Sequence, residues 1–359
     1  MKIISVVGAR PQFIKAAPVC RALRAHHEEI LVHSGQHYDY EMSDVFFEEL
    51  GIPKPDYNLA VGSGGHGRQT GEMLGSLEVL FDEQKPDAVL VYGDTNTTLA
   101  GGLAAAKLGI PVAHVEAGLR SFNRTMPEEI NRVVVDHVSE LLMCPTRAAV
   151  ANLAAEGISQ GVSLVGDVML DTARFFAEHV NASDALDHFE LEAGQFYFAT
   201  LHRAGNSDSA SRLTSVIAAL ARLDRPVLWA VHPRTRKNIT AFGLEDMLAA
   251  ATNITPVPPI SYIETVSLLR SAAGLLTDSG GMQKEAYFFG VPCVTMRNET
   301  EWVETVELGW NTLVGTDEER IVSAVSALSR PANRPAVYGD GHAAEAIVAA
   351  LEERFEGRE

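Results

Sequence analysis

Residues 88–120 run Ala88-Val89-Leu90-Val91-Tyr92-Gly93-Asp94-Thr95-Asn96-Thr97-Thr98, then an alanine-rich stretch to Lys107, then Val112-Ala113-His114-Val115-Glu116-Ala117-Gly118-Leu119-Arg120. A short apolar run ends in Gly-Asp, a segment of helical composition follows, and a second short apolar run ends in Glu116. Strand, helix and strand in that order are the unit of a parallel sheet. The same rhythm extends outward on both sides: Ile3–Val7 and Ile30–His33 come before, Leu141–Cys144 and Ser163–Val165 after. Beyond residue 167 it restarts with Phe196–Thr200, Val227–Val231, Ala273–Thr277, Val291–Met296 and Thr312–Val314. The expected class is α/β, with two Rossmann-like doubly wound domains over 1–167 and 168–340. A terminal piece, 341–359, contains an amphipathic helix with Ala344, Ile347, Val348 and Leu351 on one face.

A chain of 359 residues has the length of two domains, and 46% hydrophobic with 21% charged residues excludes disorder and a disulfide-built mini-protein. With 29 Lys+Arg against 47 Asp+Glu the net charge is −18. Such a chain repels a phosphate backbone, so nucleic acid is not expected as a partner, and an anionic ligand must be held by local cations and backbone N–H groups. Cys20, Cys144 and Cys293 lie far apart in apolar stretches, the pattern of buried reduced thiols and a cytoplasmic protein. No export signal is expected, and no membrane segment, since no apolar run approaches the ~18 residues that a span requires.

Open parallel sheets bind ligands beyond the carboxyl ends of their strands. After the first strand, Gly8-Ala9-Arg10-Pro11-Gln12-Phe13-Ile14-Lys15 offers a glycine for the turn and a proline for a helix start, with Arg10 and Lys15 placed as an anion clamp or as solvated surface cations. Asp94 and Glu116 end successive strands and would face one cleft if those strands are neighbours, the equipment for removing and returning a proton. Asp94 could instead cap the following helix. Pro127-Glu128-Glu129-Ile130-Asn131-Arg132 marks a helix start whose acids suit the macrodipole, while nearness to Glu116 gives Glu128 a chemical reading. His202 and His232 each follow a strand, at the ligand edge. Thr277-Asp278-Ser279-Gly280-Gly281 before a helix puts bare N–H groups at a positive helix end, which suits a diphosphate, and Glu285 is placed for ribose hydroxyls. Gly62-Ser63-Gly64-Gly65-His66-Gly67 matches a dinucleotide fingerprint by letter but follows the short Asp56–Val61 segment, so no such site is expected there. The 12 histidines are scattered without metal-ligand spacing, and no metal is expected.

Taken together, Gly8–Gln12, Gly35-Gln36-His37, Gly93-Asp94-Thr95, His114–Arg120, Pro127–Arg132, Leu201-His202-Arg203 and Thr277–Gly281 resemble the non-hydrolysing UDP-N-acetylglucosamine 2-epimerases over nearly the whole chain. The resemblance implies a glycosyltransferase-B-like pair of domains with the active site in the cleft between them, a homodimer, and a C-terminal helix returning to the first domain. It implies inversion at C2 of a UDP-2-acetamido sugar by anti elimination of UDP, through a 2-acetamidoglucal, with no cofactor. Asp94, Glu116, Glu128 and His202 would then carry the proton and leaving-group chemistry. Arg10, Lys15, Arg132, His232, Ser279, Gly280, Gly281 and Glu285 would bind the UDP-sugar. Asp39 stands where substrate-activated members carry a second glutamine, and Gly205 where a glutamate is common. Arg120-Ser121-Phe122-Asn123 and Thr300-Glu301-Trp302-Val303-Glu304 look most like the branch acting on UDP-2,3-diacetamido-2,3-dideoxyglucuronate. Competing readings are a hydrolysing 2-epimerase, which would release free sugar, a UDP-sugar glycosyltransferase, which needs an acceptor, and a non-catalytic sensor, which has no need of the acidic residues.

Overall fold

The computed structural model describes residues 1–36, 51, 53–179 and 182–357. Within them, strands β1 (Lys2–Val7), β2 (Glu28–His33), β3 (Tyr57–Asn58), β4 (Ala88–Tyr92), β5 (Val112–Val115), β6 (Leu141–Cys144) and β7 (Val162–Leu164) form one sheet in the order β3-β2-β1-β4-β5-β6-β7. Strands β8 (Tyr197–Leu201), β9 (Val227–Val231), β10 (Ile254–Val257), β11 (Gly274–Thr277), β12 (Cys293–Thr295) and β13 (Asn311–Leu313) form another, in the order β10-β9-β8-β11-β12-β13. All pairings are parallel. Each sheet is doubly wound, and strand order reverses between β1 and β4 in the first and between β8 and β11 in the second.

Both faces of such sheets are covered, which is why the strands read as continuous apolar runs. In the second sheet the two-residue period sorts them cleanly. Tyr197, Ala199, Leu201, Val227, Trp229 and Val231 enter one core, whereas Phe198, Leu228 and Leu275 enter the core on the opposite face. Strand β10 was not expected from the sequence, because Pro256 interrupts its pattern. It is an edge strand, where the missing proline N–H is tolerated. The Gly62–Gly67 run follows the two-residue edge strand β3 and leads into helix His66–Gln84, with open space around Gly64, Gly65 and Gly67.

The chain forms two compact units, Met1–Arg174 with Ala336–Glu359, and Phe175–Pro335. The changeover to the second falls inside helix Val168–His179. The chain is back in the first by Tyr338, whose carbonyl accepts the Asp167 amide at 2.9 Å. Helix Ala343–Phe355 then packs on helix Arg10–Arg24, and His27 Nε2 meets Glu352 Oε1 at 3.1 Å.

Asp171 fastens the start of that last helix, accepting the Ala343 and Ala344 amides at 3.1 and 2.8 Å. Burial pushes its carboxyl up to about 6, more than those two amides pull it down, with Glu345 and Asp167 adding repulsion. A raised folded-state value contributes stability that is complete below the unfolded carboxylate range and is lost as pH rises through about 6. Wild type should therefore gain about 1 kcal/mol on Asp171→Asn between pH 7 and pH 5. Urea unfolding of both proteins at the two pH values measures this, and an unchanged difference refutes it. All three cysteines are free and buried, and burial pushes the Cys144 and Cys293 thiols up to about 12.

Candidate active site

In the first unit the site begins at the end of β1. Gly8 is needed less for a turn than for a close approach, since a Cβ there would lie 2.0 Å from Ser34 Oγ and 2.3 Å from Thr97 Oγ1. Pro11 lies in the first turn of helix Arg10–Arg24, as expected. Gln12, fully buried, accepts the Gly8 and Ala9 amides at 2.9 and 3.1 Å and donates to the Tyr92 carbonyl at 2.9 Å. It thereby ties the end of β1 to the end of β4. The Arg10 side chain, His37 and Asp39 lie outside the described residues.

Strands β4 and β5 are direct neighbours, so Asp94 and Glu116 stand side by side at the carboxyl edge. Asp94 does not cap the next helix. Thr95 does, accepting the Thr98 amide, which leaves the Asp94 carboxylate for an ion pair with Arg132. Glu116 is buried and sits at φ +71, a left-handed conformation that costs a non-glycine residue free energy and concentrates at functional positions. Its carboxylate pairs with Lys15 Nζ across Gly93, where a Cβ would lie 3.1 Å from Nζ and 3.2 Å from Glu116 Oε2. Lys15 thus faces a carboxylate instead of standing as an isolated cation at a helix end.

Helix Pro127–Val138 brings Arg132 to Asp94 and places Glu128 one turn earlier, exposed. The neighbouring Glu129 is buried and holds the preceding loop: it accepts the Ser121 amide, Ser121 hydroxyl and Phe122 amide, each at 2.9 Å, and Arg132 NH1 at 2.9 Å. Sequence reasoning chose Glu128 and passed over Glu129. The signal for Glu129 was the spacing Glu129, Arg132, Asp136, which places all three on the inner face of one helix.

In the second unit the residues expected after β8 and β11 meet at the point where strand order reverses. Asp278, fully buried, accepts the His202 and Arg203 amides at 3.0 Å each and Asn206 Nδ2 at 3.1 Å. His202 Nδ1 lies 3.2 Å from the same carboxylate. Burial alone would raise the Asp278 carboxyl, but the His202 ring and these amides outweigh it and hold it below the usual carboxylate range. The ring of His202 remains partly exposed, with its centroid 6.0 Å from that of His232. His232 caps helix Pro233–Ala241, its Nδ1 accepting the Arg234 amide at 3.2 Å.

Ser279 caps helix Gly280–Phe289, whose first two residues are the glycines. A Cβ on Gly280 would come within 2.5 Å of Glu301 Oε1, so glycine is required there by packing as well as by any ligand. Glu285 is buried and accepts the Tyr262 hydroxyl at 2.8 Å. The adjacent Lys284, also buried, sets its ammonium 3.9 Å from the Trp302 ring centroid and so anchors the Thr300–Trp302 segment to this helix. Chemically, the first unit presents two carboxylates and two cations at one sheet edge. The second presents an oriented imidazole and an N–H-rich helix start.

The family model described as UDP-N-acetylglucosamine 2-epimerase matches residues 21–352. A protein of Methanococcus maripaludis, named a UDP-N-acetylglucosamine 2-epimerase homolog, is 50% identical over 98% of this chain and 99% of its own. The UDP-2,3-diacetamido-2,3-dideoxy-D-glucuronate 2-epimerase of Pseudomonas aeruginosa is 49% identical over 97% of this chain and 98% of its own. Among solved structures, the UDP-GlcNAc 2-epimerase of Methanocaldococcus jannaschii, in complex with UDP-GlcNAc and UDP, matches with a TM-score of 0.91 and 42% identity, covering 98% of this chain and all of that one. Among the described residues no helix is long and apolar enough to cross a membrane, and no cluster of side chains could hold a metal ion.

Proposed function

We propose that this chain, which belongs to the UDP-N-acetylglucosamine 2-epimerase family, is a non-hydrolysing epimerase that inverts C2 of a UDP-2-acetamido sugar. The observation that carries the reading is the pair of carboxylates, Asp94 and Glu116, at the ends of adjacent parallel strands, each matched to a cation. Inversion requires removal of a weakly acidic proton from one face and its return to the other. A base takes the C2 proton as the C1–O bond to UDP breaks, leaving UDP and a 2-acetamidoglucal. Re-addition reforms the C1–O bond on the face from which UDP left and delivers a proton to the opposite face of C2, so that only C2 is inverted.

In this reading Asp94, Glu116 and Glu128 of the first unit share the proton transfers, and His202 serves the departing and returning diphosphate. Ser279, Gly280 and Gly281 give N–H groups to that diphosphate, Glu285 takes the ribose, and Arg10, Lys15, Arg132 and His232 complete the binding set. No redox cofactor takes part. The working form is a cytoplasmic homodimer.

A second substrate enters on a specific observation: identity to the diacetamido-glucuronate epimerase is 49%, level with the 50% to the Methanococcus maripaludis UDP-N-acetylglucosamine 2-epimerase homolog and above the 42% to the Methanocaldococcus jannaschii UDP-N-acetylglucosamine 2-epimerase. Proton NMR in heavy water, with UDP-N-acetylglucosamine in one tube and its 2,3-diacetamido-glucuronate counterpart in another, decides between them. Deuterium at C2 with a growing manno-configured UDP-sugar is expected in one tube. Free sugar plus UDP would indicate hydrolysis, and no exchange in either tube, from protein that binds UDP, would defeat the epimerase reading.

A further inference from the structure

His114, fully buried in β5, makes two hydrogen bonds that settle its chemistry. Nδ1 lies 2.7 Å from Asp136 Oδ1, and Nε2 lies 2.7 Å from the carbonyl oxygen of Gly93. A carbonyl can only accept, and so can an ionised carboxylate. Asp136 is ionised: its Oδ2 already accepts the Gly118 amide at 3.1 Å and Arg120 NH1 at 2.7 Å. The Arg120 guanidinium, which stays charged in proteins, keeps this carboxylate ionised whatever the state of His114. Both nitrogens of His114 therefore carry protons.

The charges around it close. Arg120 forks onto Glu156, with Nε to Oε1 and NH2 to Oε2 at 2.7 Å each, so two cations and two anions alternate along one chain that runs from the buried His114 to Glu156 at the surface. The nearby Cys144 thiol, pushed up to about 12 by burial, adds no charge.

Two adjacent members of this chain, His114 and Asp136, touch the backbones that carry the strand-end carboxylates. Gly93, at φ +62, immediately precedes Asp94, and its carbonyl is the one that His114 holds. Gly118 follows the left-handed Glu116 by two residues, and its amide is held by Asp136 directly. The hydrogen-bonded pair His114–Asp136 thus spans both loops. We propose that His114 is a positioning residue, held as an imidazolium between Asp136 and the Gly93 carbonyl, that fixes the spacing of Asp94 and Glu116 for the proposed proton transfers. This rests on the epimerase reading for its kinetic consequence but not for its protonation state.

The test has two arms. In wild-type protein labelled with ¹⁵N-histidine, the His114 signal, assigned by its loss in His114→Asn, is expected to show two protonated ring nitrogens throughout about pH 6 to 8. A neutral tautomer in that range overturns the proposal, whatever the enzyme's activity. In the second arm, His114→Asn is expected to lose at least about 100-fold in kcat for C2 exchange, with KM and the Kd for UDP within about threefold. Asp136→Asn is expected to show the same split. Unchanged kcat in a folded variant, or a loss of UDP affinity equal to the loss of kcat, overturns it. If Asp136→Asn fails to fold, the wild-type spectrum still decides; if His114→Asn fails to fold, His114→Gln supplies the assignment instead; and wild type without C2 exchange would refute the function while leaving the imidazolium to be judged on its own.

Discussion

Asp94→Asn is expected to leave UDP affinity within about threefold of wild type while turnover falls by about a thousandfold, within the 10²–10⁴ range of a lost general acid or base. The structure makes this substitution unusually clean. Thr95, not Asp94, caps helix Asn96–Lys107, so no cap is removed. The Asp94 carbonyl, which accepts Asn131 Nδ2 at 2.9 Å, is untouched. The amide oxygen of the new side chain can still accept from Arg132, and the Asp94 side chain is 28% exposed, so the lost ion pair should cost about 1 kcal/mol or less. Unfolding and UDP titration would therefore look nearly normal while deuterium incorporation at C2 stops. A variant that binds UDP normally and keeps a tenth of wild-type turnover would remove Asp94 from the proton chemistry. A UDP-sugar sensor would lose nothing by the change, which makes the same experiment a test of class as well as of residue.

Asp94 and Glu116 were legible in the sequence because strand ends are legible: a short apolar run closed by Gly-Asp or by Glu-Ala-Gly announces itself, and parallel sheets present such ends to ligands. What stayed hidden depends on contacts between distant segments. Glu128 and Glu129 are adjacent acids in one first turn, and only burial separates the exposed one from the one that clamps the Ser121–Phe122 loop. Gly8 reads as a turn glycine, but Ser34 and Thr97, from two other segments, are what exclude a side chain. Strand β10 was lost to its proline, since a proline is evidence against a central strand and only the sheet order shows this one to be an edge. His114 and Asp278 sat inside quoted motifs without a role, because a buried network is defined by partners that periodicity does not show.

Asp278→Asn is the second large effect, and it falls on stability and catalysis together. The carboxylate has no exposure and receives the His202 and Arg203 amides, Asn206 Nδ2 and the His202 ring. An asparagine keeps one oxygen but turns an NH₂ toward donors on the other side, so buried N–H groups lose their acceptor. Breaking a buried, charge-assisted set of this kind should cost about 3 kcal/mol. The pH dependence follows from the same charge. A depressed folded-state value contributes stability that is present above the unfolded carboxylate range and is lost as pH falls through the folded value, so wild type should lose its advantage over the variant on acidification. For turnover, the ring of His202 loses the carboxylate that orients it, and kcat should fall at least about 100-fold. That loss should run through the histidine alone: in a His202→Asn background, adding Asp278→Asn should cost stability again but almost no further turnover. Additive losses in kcat would instead mean that Asp278 serves the reaction by some route other than His202.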